Sequence, residues 1–513
     1  MPKRATANSL TIPPPILGIN TKDPLSEMDP RYAVELQEMF PNAGTVDLRN
    51  GCRYHSKTIG TTFVDSLSVL EYNTTSKLMC TAVSDGKLYD ASTASAAATD
   101  RSGGTAFSNE YLASVQFRDR LFLKSYGNGD DVYHYTGSGN MTASAFTGPG
   151  GDDKDLFTMG VYKSRLYFAE LDAPSIWYGA VDAVTGALTE FPLTSVLTKG
   201  FINDTANERP GTLFLGPLTR AKQALEDDLF CIVMSTGEML LYQGENPAHS
   251  TWALVGRYIL PTPAGHRGFF YLGDSLCAIC RGAIIPIREL MAGNQSSGLY
   301  PSISENIDSE LTEDFDNSTF RQYFQGVVYP KGSYLIISIR SSGSAGHQWV
   351  MNLTTRAWTK FKYTNALSWV VYRDELYFGT NSGRLMKADN DNFDENPASE
   401  GDGLTRSIIV RPAYNYLGNR EQVKQMLFCV PTIYQSEGLA LTMEADMDFA
   451  NVAATQTVTA DTTDTAYKIY QPRVGLQGIG NAVSIRIDQT APATDKRFSL
   501  NAIKVVWQDG DIT

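Results

Sequence analysis

One short phrase recurs seven times between residues 78 and 376, a polar turn leading into Leu and two or three further apolar residues. Its anchors are Leu78, Leu121, Leu166, Leu229, Leu276, Leu335 and Leu376, at successive intervals of 43, 45, 63, 47, 59 and 41 residues. Most of these intervals fall near the ~40–50 residues of one four-stranded propeller blade. The turns before the anchors are built from Ser, Asp or charged residues, as in Asp119-Arg120, Ser164-Arg165, Asp274-Ser275 and Asp374-Glu375. Four positions upstream of an anchor stand Phe117, Tyr162, Leu225, Leu272 and Tyr372, which is hairpin spacing. A third strand follows, opened by Gly86, Gly237, Gly282 and Gly383. Each unit therefore reads as an antiparallel meander, and the chain as an all-β protein with a β-propeller of about seven blades. A β-sandwich is the competing reading, but its strands recur every ~8–12 residues and give no reason for the longer period.

The seven repeats occupy residues 61–400, with longer insertions after the third and fifth. Ahead of them, residues 1–60 form an N-terminal arm that holds Pro13-Pro14-Pro15 and a segment with helical signals. Asp29 can cap, Pro30 suits the first helical position, and Ala33, Leu36 and Phe40 make a stripe that Pro41 ends, so a short helix is expected there. Helix is otherwise expected only at 219–226 and, more weakly, at 288–291. The polar stretch from Ala292 to Asn317 reads as an extended surface loop. The acidic run Asp389, Asp391, Asp394 and Glu395 reads as a solvated linker into residues 401–513, where longer alternating strands predict a C-terminal antiparallel, sandwich-like domain. A blade can also be completed by a strand from the far end of the chain, which leaves the blade count open by one.

Composition excludes several classes of function. With 43 basic and 56 acidic residues the net charge is -13, so no basic footprint points to sequence-specific nucleic-acid binding. Aromatic residues make up 11% of the chain, which suits strands. No stretch reaches the ~18 apolar residues of a membrane helix, and Met1 to Leu10 has no hydrophobic centre of a secretory signal, so cytoplasmic synthesis is expected. The six cysteines, Cys52, Cys80, Cys231, Cys277, Cys280 and Cys429, are scattered as expected for reduced, buried thiols.

Candidate chemistry is sparse. None of the five histidines, His55, His134, His249, His266 and His347, has metal-ligand spacing. Cys277 and Cys280 match CxxC, yet a strand would send the two sulfurs to opposite faces. The acidic run holds clustered carboxylates that a calcium ion could use at Asp389 and Asp391, but Phe393 and the missing glycine break the EF-hand pattern. No GxSxG or phosphate-binding loop is present, and Gly148 to Asp152 is a turn. Glycosidase propellers carry paired carboxylates, and sialidases repeat an S-x-D-x-G-x-T-W signature that this chain lacks. The stretch from Asn352 to Trp358 is an ordinary blade turn. No catalytic residue, cofactor or metal is assigned, and a non-enzyme is expected.

The segment from Pro15 to His55 resembles the opening of tail nozzle proteins of short-tailed bacteriophages, the tail tubular protein B-like or DNA-stabilisation proteins. The resemblance lies in an extended arm, the DPLSEMDP turn, and the strand opening Arg49-Asn50-Gly51, with R-L-Y-F phrases and a Val-Val-Trp strand farther on. It implies a non-enzymatic structural virion protein of the tail, made in the host cytoplasm. Such a protein forms a homo-oligomeric ring, a hexamer, at the head-tail connector below the portal adaptor protein, next to tail fibre or spike proteins. Genomic DNA would pass through the ring without sequence-specific binding and be retained until ejection, and an acidic wall would let it slide. Pro13, Pro14, Pro15, Ile16, Leu17 and Ile19 are the candidate partner-binding residues, since the arm has too few apolar residues to fold alone. The alternative is a host-receptor or glycan-binding propeller of the same tail, with glycoside hydrolase activity as its extension.

Overall fold

In the computed structural model every anchor leucine lies in, or directly before, the second strand of an antiparallel meander, so the repeat in the sequence is the hairpin between first and second strands. The structure describes residues 7–510 apart from 57–58, 60–62, 84, 95, 110, 127–128, 172, 199–210, 220–227, 294–299, 343–345, 364–365, 392, 436–439, 451–455, 460–467 and 492–496. The hairpins are tight because their turns accept left-handed backbone. Lys163 and Ser164, and likewise Arg373 and Asp374, all have positive φ, the twist that suits two-residue connections.

Four sheets of four strands lie at residues 64–100, 112–143, 156–192 and 212–259, followed by a three-stranded sheet at 269–286. A further sheet at 366–388 takes its fourth strand, Cys52–Ser56, from the N-terminal segment. These are blades 1 to 6 in order. Between blades 5 and 6 the meander at 325–361 holds the same place in the ring without being free-standing. Its last strand, Trp358–Phe361, pairs with Ala33–Gln37 and continues into a nine-stranded sheet. The chain is thus an all-β propeller with six free-standing blades, and the expected count of about seven is corrected: the remaining repeat belongs to a larger sheet.

First strands of neighbouring blades lie side by side around the axis. Blades 4 and 5 close on each other through Leu218, Cys231, Met239, Leu276 and Ala278. At two of these contacts only glycine fits. A Cβ on Gly160 of blade 3 would overlap the Leu215 carbonyl of blade 4, and one on Gly379 of blade 6 the Val64 carbonyl of blade 1.

The C-terminal residues form a sandwich. Lys424–Gln435 and Phe498–Asp509 pair along most of their length in one sheet, and Ala7–Ile12 and Val46–Leu48 both pair with the other side of Phe498–Asp509. The facing sheet is the nine-stranded one, through Arg406–Pro412, Ala440–Met447 and Val483–Ala491. Leu36, Val410, Met443 and Ile487 of this sheet share one apolar core with Met426, Cys429, Leu500 and Val505 of the other. Leu335 and Trp349 of the shared meander and Ile279 of blade 5 belong to the same core, so it runs unbroken past residue 400.

Three expectations are overturned. The helix expected over Asp29 to Pro41 is two strands, Ala33–Gln37 and Met39–Pro41. A register shift between Ala33 and Glu35 and the positive φ of Glu38 each break the two-residue alternation, so buried Ala33, Leu36, Met39 and Phe40 fall at helical spacing without a helix. Pairing on both sides outweighs local propensity. The expected loop 292–317 contains a helix, Asp308–Asn317, which buries Leu311 and Phe315. The acidic run is no solvated linker, for reasons given below. The helix expected at 288–291 is present as Ile287–Ala292, whereas that at 219–226 lies outside the described residues beyond Thr219.

Candidate functional site

Side chains two apart on a strand share a face, and in blade 1 this brings Ser66 and Ser68 together toward the propeller axis. Ser114 of blade 2, Ser368 of blade 6 and Gln325 of the shared meander converge on the same place, and Thr81 joins them from the second strand of blade 1. With the His266–Gly268 turn that leads into blade 5, they enclose a cavity of about 110 Å³.

Arg267 is the cation of this cavity. Its Nη1 donates to the Asp65 carbonyl at 2.8 Å and its Nη2 to Ser66 Oγ at 2.6 Å. The guanidinium lies 5.1 Å from the Tyr111 ring centre and 5.5 Å from that of Tyr323, near enough for cation–π attraction. The neighbouring His266 has Nδ1 3.3 Å from the Leu213 carbonyl. A carbonyl only accepts, so Nδ1 carries the hydrogen and Nε2 keeps its lone pair. Burial, and then the charge of Arg267, push this imidazole down to about 4, so it is neutral at neutral pH. The Asp65 carboxylate is taken by Arg340, whose Nη1 is 2.8 Å from Oδ1. No Asp or Glu lines the cavity among the described residues. Glycoside hydrolysis uses two carboxyl groups about 5–9.5 Å apart, and here that pair is missing.

A second polar cluster joins propeller to sandwich. Arg49 has no exposed side-chain surface, and it sits between Glu38, at 2.5 Å, and Asp394, at 2.8 Å. Asp394 also accepts from the backbone N–H and thiol of Cys52. Burial alone would raise the Asp394 carboxyl, but the charge and hydrogen bond of Arg49 bring it below its ordinary value. Lys362 N–H donates to Glu38 Oε1, and Arg406 donates to the Arg49 carbonyl. This network lines a cavity of about 280 Å³ with Gln37 and Ser407.

These contacts account for the acidic run. Asp394 holds Arg49, Asp389 accepts from Asn50 at 2.8 Å, Asp391 pairs with Arg53 at 3.0 Å, and Glu395 accepts from the backbone of Tyr54 and Gly401. The carboxylates clamp the Arg49 to Tyr54 stretch in place of lying in water, and no metal-binding cluster occurs among the described residues. Of the partner-binding candidates, Pro14, Pro15 and Ile19 are buried in their own chain, Ile16 and Leu17 are half-buried, and Pro13 is exposed. Ile19 is held by its N–H to the Trp358 carbonyl at 2.8 Å. Cys277 packs in the sandwich-side core and Cys280 in the core of blades 4 and 5, the opposite faces that strand geometry requires.

The axial residues carry no sequence motif. Their one signal is polar alternation, Ser66 and Ser68, inside a strand that also carries Val64, Leu67, Val69 and Leu70, and the turn Gly265-His266-Arg267-Gly268 gives no hint of where it points.

No protein family profile matches this sequence, and no curated protein sequence matches it. Among solved structures it is similar to the propeller YCF48 bound to a D1 peptide, at 11% identity and a TM-score of 0.38 over 67% of this chain and 96% of that one. It is also similar to an exo-β-1,3-galactanase from Phanerochaete chrysosporium, at 10% identity and 0.28 over 78% and 99%. A third similarity is to the sialidase of Trypanosoma rangeli, at 9% identity and 0.31 over 80% and 92%. Likeness at this level carries neither substrate nor partner across to this chain.

Proposed function

We propose that this chain is a structural protein of a short phage tail, one subunit of a homo-oligomeric ring below the portal adaptor through which genomic DNA is retained and ejected. The observation that carries the proposal is what the segment bearing the nozzle-like wording does in the fold. Between residues 7 and 56 it adds Ala7–Ile12 and Val46–Leu48 to one sandwich sheet, joins the shared meander to the other through Ala33–Gln37, and completes blade 6 with Cys52–Ser56. Its Glu38 and Arg49 then lock to Asp394. The propeller and the sandwich are stapled into one body, as suits a ring subunit that must pass force between neighbours without a hinge.

Side chains from blades 1, 2 and 6, the shared meander and the turn into blade 5 converge on a cavity of only about 110 Å³, so in this reading DNA passes between subunits and not through a blade ring. The net charge of -13 suits a wall that does not hold phosphates by counterion release. Negative-stain microscopy of the purified chain tests the proposal: rings are expected, and a protein that stays monomeric alone and with its adaptor would overturn it.

A second reading, a glycan-binding propeller of the tail, is favoured by the same cavity, whose hydroxyls and amide suit a polar ligand, with no carboxylate lining it among the described residues. Saccharide binding without turnover by a monomer is its expected signature.

A further inference from the structure

We propose that the axial cavity is a binding site for a small oxyanion, a carboxylate or phosphate group, held by Arg267 and Thr81. This goes beyond the structural role above and does not depend on it.

Charge is the first ground. Arg267 reaches the cavity with both terminal nitrogens engaged by neutral acceptors, the Asp65 carbonyl and Ser66 Oγ. Among the described residues no carboxylate lies within ion-pair distance of it, because the Asp65 side chain is turned to Arg340. A guanidinium set in a half-buried place without a counter-charge is costly, and an anion arriving there recovers the lost Coulomb energy in a medium of low dielectric.

The second ground is independent of charge. Thr81 lines the same cavity and is only 4% exposed, and its Oγ1 has no hydrogen-bond partner among the described residues. Buried hydroxyls are almost always satisfied, so one without a partner in the lining of a polar cavity is a donor that a ligand atom or water reaching it would satisfy. Ser68 and Ser114 add two further hydroxyls to the lining. His266 completes the selection. With Nδ1 committed to the Leu213 carbonyl, its Nε2 is an acceptor suited to a ligand hydroxyl such as that of a hydroxy acid or a hydrogen phosphate.

Size limits the ligand. A volume of about 110 Å³ holds roughly three or four waters, enough to take a phosphate or the carboxylate end of a sugar acid inside.

The test is calorimetric titration of the full chain, at fixed ionic strength, with inorganic phosphate, glucuronate and, as neutral control, glucose. Saturable binding of phosphate or glucuronate and none of glucose is expected, and the tighter of the two anions identifies the source of the group. Arg267→Gln should weaken that binding by about tenfold or more, since it removes a charged donor. Because Arg267 also holds blade 1, this variant can fail to fold, and Thr81→Val decides the matter. It exchanges an unpartnered hydroxyl for a methyl, so the melting temperature should hold or rise while affinity falls by about threefold to tenfold. Binding of neither anion, equal binding of glucose, or wild-type affinity in Thr81→Val would each overturn the proposal.

Discussion

Two buried aspartates respond to acid in opposite ways, and both are explained by who their neighbours are. Asp394 faces Arg49, which holds its carboxyl below the ordinary range, so it contributes stability that is present above the unfolded pKa and lost as pH falls through the folded one. Asp394→Asn would strand Arg49 beside Glu38 alone, and breaking a buried pair in this way costs about 3–5 kcal/mol. Urea unfolding at neutral pH should show the loss as a lower midpoint at unchanged slope. Asp153 is 3% exposed, and burial pushes its carboxyl up from 3.8 to about 6. Here the folded chain binds the proton more tightly, so the stability this group contributes is full below the unfolded pKa and declines as pH rises to about 6. Asp153→Asn is therefore expected to raise the melting temperature at pH ~7 and to bring no gain at pH ~3, below the unfolded value of 3.8, where the carboxyl is largely protonated in both the folded and the unfolded chain. Thermal scans at the two values check this, and an equal shift at both would mean that ionisation is not the cause.

Blades meet most closely where the sequence spends a glycine. Gly160→Ala would drive a methyl into the Leu215 carbonyl of the next blade, and a strand that cannot move away loses about 1–3 kcal/mol. Gly44→Ala has open space around its Cβ and no positive φ, so it should raise stability by about 0.4–1 kcal/mol through the unfolded chain alone, and comparing the two variants separates packing from glycine's own effect on that chain. The hairpins themselves were legible in the sequence because both their signals are local. Phe117, Tyr162, Leu272 and Tyr372 do end first strands, and Gly86, Gly237, Gly282 and Gly383 do have the positive φ that opens a third. What could not be read is whatever depends on distant partners. The irregular pairing of Ala33–Gln37 with Ile409–Pro412 imitates a helical stripe, and the polar surface of Asp308–Asn317 hides the spacing of Ile307, Leu311 and Phe315. The axial cavity was invisible for the same reason, since Ser66, Thr81, Arg267, Gln325 and Ser368 meet only when the ring closes.

At the scale of the molecule, the arm decides whether the chain is complete in itself or leans on a neighbour. Its strand Ala7–Ile12 pairs with Ile503–Gln508 and covers main-chain groups that would otherwise form an open edge. Pro14, Pro15 and Ile19 are buried in their own chain, while Pro13 and parts of Ile16 and Leu17 are exposed, and in the proposed ring these would meet a neighbour. The proposed ring gives this segment two roles, and removal of residues 1–25 should reveal both. Loss of the strand bares the edge of Phe498–Asp509, so the melting temperature is expected to fall and the truncated chain to aggregate more readily than the full one. Loss of the exposed apolar residues should also weaken ring formation. The two effects separate on replacing only Pro13, Ile16 and Leu17 with Ser, which spares every backbone pairing of Ala7–Ile12: size-exclusion chromatography with negative-stain microscopy should then find a stable chain with fewer rings. Undiminished ring formation in that variant would confine the arm to holding its own fold, and the ring contacts would have to be sought on the blades or the sandwich.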